Sequence, residues 1–145
     1  MKRLVSLGLL LSLSLFACSQ AADTTAMDSL ARSQDQAAQS SLRNALVAAK
    51  TYFTDATTYS GWSASQGGAI EPSLAWSDGQ PAAVDTVSID FADGFQTVMS
   101  TTSASGTSFC IADDAESGTT YGTVDAQGAT AAGGCTGGAW GSGGA

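Results

Sequence analysis

The run from Ala31 to Tyr59, ARSQDQAAQSSLRNALVAAKTYFTDATTY, restricts what this chain can build more than any other stretch. Leu42, Leu46, Ala49 and Phe53 recur at steps of four, three and four, the spacing of one face of an α-helix. Ala38, Ala45 and Tyr52 widen that face, while Gln36, Gln39, Arg43, Asn44 and Lys50 fall largely on the other side. The interior has no Gly or Pro and is rich in Ala, a strong helix former. Beyond Thr54, the residues Asp55, Thr57, Thr58, Ser60 and Gly61 favour a turn. Small Ala side chains allow a second layer to approach closely, and Leu42, Leu46 and Phe53 supply the large contacts. The helix therefore requires a flat apolar partner, which only the β-rich remainder of the chain provides.

Four runs downstream read as strands. Val84 to Phe91 alternates, placing Val87, Ile89 and Phe91 on one face. Phe95 to Thr102 carries Val98 and β-branched threonines. Ser105 to Ala112 puts Phe109 and Ile111 on one face and Cys110 on the other. Gly118 to Val124 contributes Tyr121 and Val124. The breaks between them are short and contain Gly, which predicts antiparallel hairpins. The expected fold class is α+β: one long helix on a three- to four-stranded antiparallel sheet, two layers in all. Ser60 to Pro81 holds Gly61, Gly67, Gly68, Pro72, Gly79 and Pro81 and reads as an irregular connection. Its Trp62, Ile70, Leu74 and Trp76 imply a loop packed on the domain. Trp62 and Trp76 either cap the edges of the core or form an interaction surface. Residues 127–145 are Ala- and Gly-rich, with residues 141–145 forming a flexible end.

The N-terminus reads as an export signal spanning residues 1–17. Lys2 and Arg3 precede an apolar stretch from Leu4 to Phe16, about 13 residues, too short for the roughly 20 that a membrane-spanning helix needs. Leu15-Phe16-Ala17-Cys18 resembles a bacterial lipobox, which makes Cys18 the candidate lipidation site and implies a membrane contact through a lipid anchor. Cleavage after Ala22 is the alternative. Residues 18–28 read as a polar tether, with Asp28 or Ser29 as the N-cap of the helix. Of 3 cysteines in an exported chain, one needs an explanation. Lipidation of Cys18 supplies it and leaves Cys110 and Cys135 as a disulfide pair. Such a bridge closes a loop of about 25 residues and contributes about 3 kcal/mol. Two free thiols are the reading for a reducing compartment, against which the export signal argues.

Charge narrows the function classes. The chain has 13 acids against 5 bases, a formal net charge of −8. No face can neutralise a row of phosphates, which argues against nucleic acid as a partner. His is absent, which removes Ser-His-Asp and Cys-His chemistry from these residues. The acidic residues Asp113, Asp114, Glu116 and Asp125 sit in or near turns and are weak calcium candidates, because their spacing matches no EF-hand. GGCTGG at 133–138 lacks the Lys-Ser/Thr of a phosphate loop. No carboxylate pair has the aromatic-lined setting of a glycosidase. The expectation is a non-catalytic protein without a required cofactor.

One family resemblance joins these pieces. SSLRNALVAAKTYFTDATTYSG is similar to the segment of type IV pilins that leaves the membrane-embedded half-helix and packs on the head-domain sheet. EPSLAW at 71–76, SGTSFCIAD at 105–113, GTTYGTVDAQGAT at 118–130 and GGCTGG resemble head domains of pilin-like proteins of high-GC Gram-positive bacteria. The resemblance spans about residues 31–140, within a domain bounded at 29–140. It implies an exported structural or surface protein, a subunit of a pilus or a type II secretion pseudopilus. Its partners would be other pilin or secretion-system subunits or a surface ligand. It also implies a C-terminal disulfide and, in some pseudopilins, a calcium in a C-terminal loop. The chain departs from the family at its start: it lacks the prepilin Gly and Phe around the cut, the Glu five residues in, and the long apolar helix. A lipid-anchored monomeric surface lipoprotein, acting as an adhesin or an accessory binding module, is the alternative.

Overall fold

The computed structural model describes residues 17–79 and 83–124 together with Cys135 and Trp140; of residues 17–23 it describes the backbone alone. The expected signal peptide, the lipobox with the Cys18 side chain, Asp125 and the glycine-rich end apart from those two residues lie outside the described residues.

One helix, α1 (Ala17–Ala56, 40 residues), lies with its C-terminal half on a sheet. Leu42, Ala45 and Ala49 are wholly buried, and Ala38, Leu46 and Ala48 nearly so. Burying a side chain such as Leu42 contributes about 1.5–3 kcal/mol. Phe53 and Tyr52 are half-buried at the margin of the same cluster. Residues 24–30, by contrast, are all exposed. The helix starts well before the expected cap at Asp28 or Ser29, so the stretch expected as a tether is helical. Nothing in SQAADTTAMD opposes this: it contains neither Gly nor Pro, and the helix propagates through residues that are polar without being breakers.

The helix ends in a strained residue. Thr57 has φ 59°, and its N–H donates to the Phe53 carbonyl at 2.7 Å, the left-handed cap geometry usually given to Gly or Asn. The chain then reverses so that Tyr59 falls back beneath the helix, 1 % exposed, with its ring 4.7 Å from Phe53.

A short helix, α2 (Ala64–Ile70), and five strands follow: β1 (Ala75–Asp78), β2 (Thr86–Ala92), β3 (Gln96–Thr102), β4 (Ser108–Asp114) and β5 (Gly118–Thr123). They form a single sheet in the order β1-β2-β3-β4-β5. The pairs β2–β3, β3–β4 and β4–β5 are antiparallel, as the short Gly-containing breaks predict, but β1 lies parallel to β2, with Trp76 opposite Val87. The expected sheet of three or four antiparallel strands is therefore corrected to a five-stranded mixed sheet. The extra strand, AWSD, is too short and too polar to show alternation, and pairing with β2 makes it a strand. Helix α2 is likewise hidden in the sequence. Its residues, ASQGGAI, include two central glycines that count against a helix. Gly67 is needed there because the indole of Trp76 lies against it; a Cβ would sit 2.6 Å from Trp76 Cδ2.

The faces of the sheet follow the alternation except at one point. Val87, Ile89, Met99, Phe109 and Ile111 face α1. Val98, Cys110 and Ala112 face away, joined by Cys135 and flanked by Phe91 and Val124. Strict alternation predicts Phe91 beside Val87 and Ile89. The register shifts between Ile89 (opposite Met99) and Phe91 (opposite Val98), leaving Asp90 as the extra residue of a bulge. An extra residue inverts every side chain after it, so Phe91 goes to the far face. On that face Cys110 and Cys135 are joined by a disulfide, with Cα atoms 5.7 Å apart across a separation of 25 residues.

Candidate functional site

The most concentrated polar chemistry among the described residues surrounds Asp113. Strand β4 places Asp113 two positions beyond Ile111, on the side facing α1, where it is 1 % exposed. Its carboxylate accepts from Lys50 Nζ at 2.7 Å, from the Tyr59 hydroxyl at 2.6 Å and from Thr119 Oγ1 at 2.5 Å. One carboxylate therefore ties together the helix, the reversed segment after it, and strands β4 and β5. Burial alone would raise the pKa of Asp113; donation from Lys50, Thr119 and Tyr59 outweighs it and holds the carboxyl below its usual range. Burial, with the hydrogen bond to the Asp113 anion, pushes the Tyr59 hydroxyl far above its ordinary value. A carboxylate that stays ionised with both oxygens engaged, and a phenol that stays protonated, have no proton to exchange near neutral pH. The arrangement joins the helix to the sheet.

One signal for this cluster is present in the chain. No Lys or Arg follows Lys50. Any carboxylate buried in the sheet must therefore take its cation from the helix, and Arg43 and Lys50 are the basic residues on its packed half. Neither Tyr59 nor Thr119 carries a local signature: the chain reversal after α1 places Tyr59, and strand register places Thr119 opposite Asp113.

The calcium candidates among the described residues do not converge. Asp113 and Asp114 are neighbours in a strand and project to opposite faces. Asp114 instead organises the β4–β5 turn: its Oδ1 accepts from the backbone N–H groups of Glu116 (2.8 Å) and Ser117 (2.9 Å), and its Oδ2 from Gln96 Nε2 (2.6 Å). The backbone donors of Ser117 and Glu116, followed by Gln96, lower its pKa. Glu116 is exposed in that turn, and Asp125 lies outside the described residues. Among the described residues no group of His, Cys, Asp or Glu is arranged to hold a metal ion.

Trp62 and Trp76 meet edge to face with ring centroids 5.6 Å apart, and Tyr52 stacks obliquely on Trp62 at 5.4 Å. Trp62 is 3 % exposed and Trp76 half-buried, with its Nε1 donating to the Glu71 carbonyl at 3.0 Å. They close one end of the core rather than form an exposed interaction patch. The indole Nε1 of Trp62 is buried with no hydrogen-bond partner among the described residues.

A third aromatic group lies at the β5 side. Trp140 packs edge to face on Phe109 (5.9 Å) and Tyr121 (5.0 Å), with the Arg43 guanidinium 5.1 Å from its ring centre. Its Nε1 donates to the Gly122 carbonyl at 2.6 Å. The sequence offers no sign of this contact, because Trp140 is an isolated aromatic among small residues.

Comparison of the chain with protein-family models, curated proteins and solved structures finds no match.

Proposed function

We propose that this chain is an exported, non-catalytic pilin-like subunit, displayed on a bacterial surface or built into a filament or secretion apparatus. One observation carries the reading: a single long helix whose C-terminal half is packed on an antiparallel meander while residues 24–30 stand clear of it, all exposed. This arrangement supports the reading, because the resemblance of residues 31–140 to type IV pilins implies a helix segment that packs on a head-domain sheet. The Asp113 lock supports it, since a projecting helix needs a firm attachment to its head. The test is electron microscopy of cells with and without the gene. Filaments that disappear with the protein and label with an antibody to it support the proposal; producing cells that show neither filaments nor antibody label at their surface refute it.

A second reading rests on a separate observation. The exposed turns of α1 at residues 24–30 are largely polar, among the described residues no helix is long and apolar enough to cross a membrane, and Leu15 to Cys18 resemble a lipobox. On this reading the same head is carried on a lipid at Cys18 as a monomeric adhesin or accessory module. Intact mass of the mature protein from membranes decides it. A diacylglyceryl adduct on a chain beginning at Cys18 selects this reading, and an unmodified chain that begins elsewhere removes it.

A further inference from the structure

Among the described residues Phe95 is the most exposed aromatic side chain, at 56 %. The turn that carries it is held from three sides. Its N–H donates to Asp93 Oδ1 at 3.2 Å, its carbonyl accepts from the Ala115 N–H at 2.9 Å, and the neighbouring Gly94 carbonyl accepts from the Tyr59 N–H at 3.1 Å. An aromatic ring presented on an ordered backbone loses little freedom on binding, which suits it as the centre of a contact. The bond to Ala115 also brings the β4–β5 turn alongside, and with it Asp114 and the exposed Glu116. With Asp93, these surround the ring with carboxylates, and no Lys or Arg follows Lys50 in the chain to offset them.

The complementary patch lies on the outer side of α1. Val47 is 66 % exposed, with Arg43 one helical turn before it and Lys50 one turn after it. Both cations are already positioned. The Arg43 guanidinium lies 5.1 Å from the Trp140 ring centre, and Lys50 Nζ lies 2.7 Å from Asp113 Oδ1 with its side chain still 52 % exposed. One patch is thus an apolar ring among carboxylates, and the other an apolar residue between cations. From this match we infer that the β2–β3 turn of one copy docks on α1 of a second copy, with Phe95 against Val47 and with Asp93 and Glu116 facing Arg43 and Lys50. The inference rests on the reading of the chain as a subunit of an assembly, and names a contact within it. The apolar centre supplies affinity, while the charges set orientation, because two acidic turns brought together repel. The two patches differ, so each copy gives one and receives one. Such a heterologous contact repeats from copy to copy unless its rotation closes a ring.

The test replaces Phe95 by the photo-crosslinking residue p-benzoylphenylalanine in the full chain, within producing cells. The substitution keeps an aromatic ring at an exposed position, so the fold is retained. Irradiation is expected to give an adduct of twice the mass of the chain. After trypsin digestion, mass spectrometry should find position 95 joined to the peptide Asn44–Lys50, which contains Val47. Val47→Glu in the same chain places a carboxylate opposite the acidic turn and should lower the yield of that adduct about tenfold. An adduct with a different protein, a crosslink elsewhere on this chain, no adduct, or a yield unchanged by Val47→Glu overturns the inference. Electron microscopy of the same cells separates this result from the broader reading. Filaments with position 95 crosslinked elsewhere remove the contact and leave the subunit reading standing, whereas the expected adduct in cells without filaments keeps the contact and removes the filament.

Discussion

Replacing Tyr59 by Phe tests the Asp113 lock at a single atom. The ring stays, and with it the contact with Phe53 at 4.7 Å, so no large cavity forms. What is lost is a 2.6 Å donor to a buried carboxylate that remains ionised through Lys50. A hydrogen bond to a charged group contributes about 1.5–3 kcal/mol, and the Asp113 oxygen left behind is too deeply buried for bulk water to replace its partner. Tyr59→Phe is therefore expected to cost about 2 kcal/mol. With an unfolding entropy of about 2.1 cal/mol/K per residue over the roughly 107 described residues, this lowers Tm by about 9 °C. The pH dependence is the sharper reading. The Tyr59 pKa is raised in the folded state, so its contribution is intact below the unfolded value of 10.0 and is lost as pH rises above it. Wild-type protein should lose stability above about pH 10 with an extra slope of up to about 1.4 kcal/mol per pH unit, and Tyr59→Phe should lack that extra slope. Urea denaturation at neutral pH and across the range from about pH 9 to about pH 11 measures both. A loss below about 0.5 kcal/mol at neutral pH, or identical alkaline slopes, would refute the view that Tyr59 and Asp113 form one unit.

Asp113→Asn acts on the other side of the same lock. The depressed pKa of Asp113 contributes stability that is present above the unfolded value of 3.8 and fades as pH falls through the folded one, so the variant should show a flatter loss of stability between about pH 5 and about pH 2 in thermal melts. Leu42→Ala, at a fully buried position of the helix face, should cost about 3 kcal/mol by denaturant titration, whereas Val47→Ala, 66 % exposed on the same helix, should stay within about 0.5 kcal/mol. Thr57→Gly relieves a β-branched residue at φ 59° and should raise stability by about 1 kcal/mol; a destabilisation would mean that the threonine side chain has a role beyond the turn. Gly67→Ala forces a Cβ to within 2.6 Å of the Trp76 ring and should destabilise by about 1–3 kcal/mol while red-shifting tryptophan emission.

The main body of the fold is legible in the chain because it rests on periodicity. Steps of three and four from Ala38 to Phe53 place the buried face of α1. Alternation places Phe109 and Ile111 under the helix and Cys110 on the reverse side. These patterns survive because each residue's facing depends only on its position within its own element. Alternation fails at Phe91, where the Asp90 bulge adds one residue and inverts the remainder of the strand. It does not reveal β1 either, whose strand character comes from pairing with β2 rather than from its own four residues. The extension of α1 back to Ala17 shows the opposite error: polarity there suggests a loop, although no residue breaks a helix.

The sequence by itself determined the two layers, the separation of the disulfide face from the helix face, and the scarcity of cations, which leaves Lys50 as the last positive charge before a long acidic stretch. Only the tertiary structure decided how Asp113 finds its three donors, because Lys50, Tyr59 and Thr119 come from separate elements, sharing no local pattern with Asp113 or with one another. It alone decided that Trp62 and Trp76 close the core and that Trp140 returns to the helix face. Local periodicity records which way a side chain points from its own backbone. Which distant side chain it meets depends on register, bulges and chain reversals, and these are set by the free energy of the assembled whole.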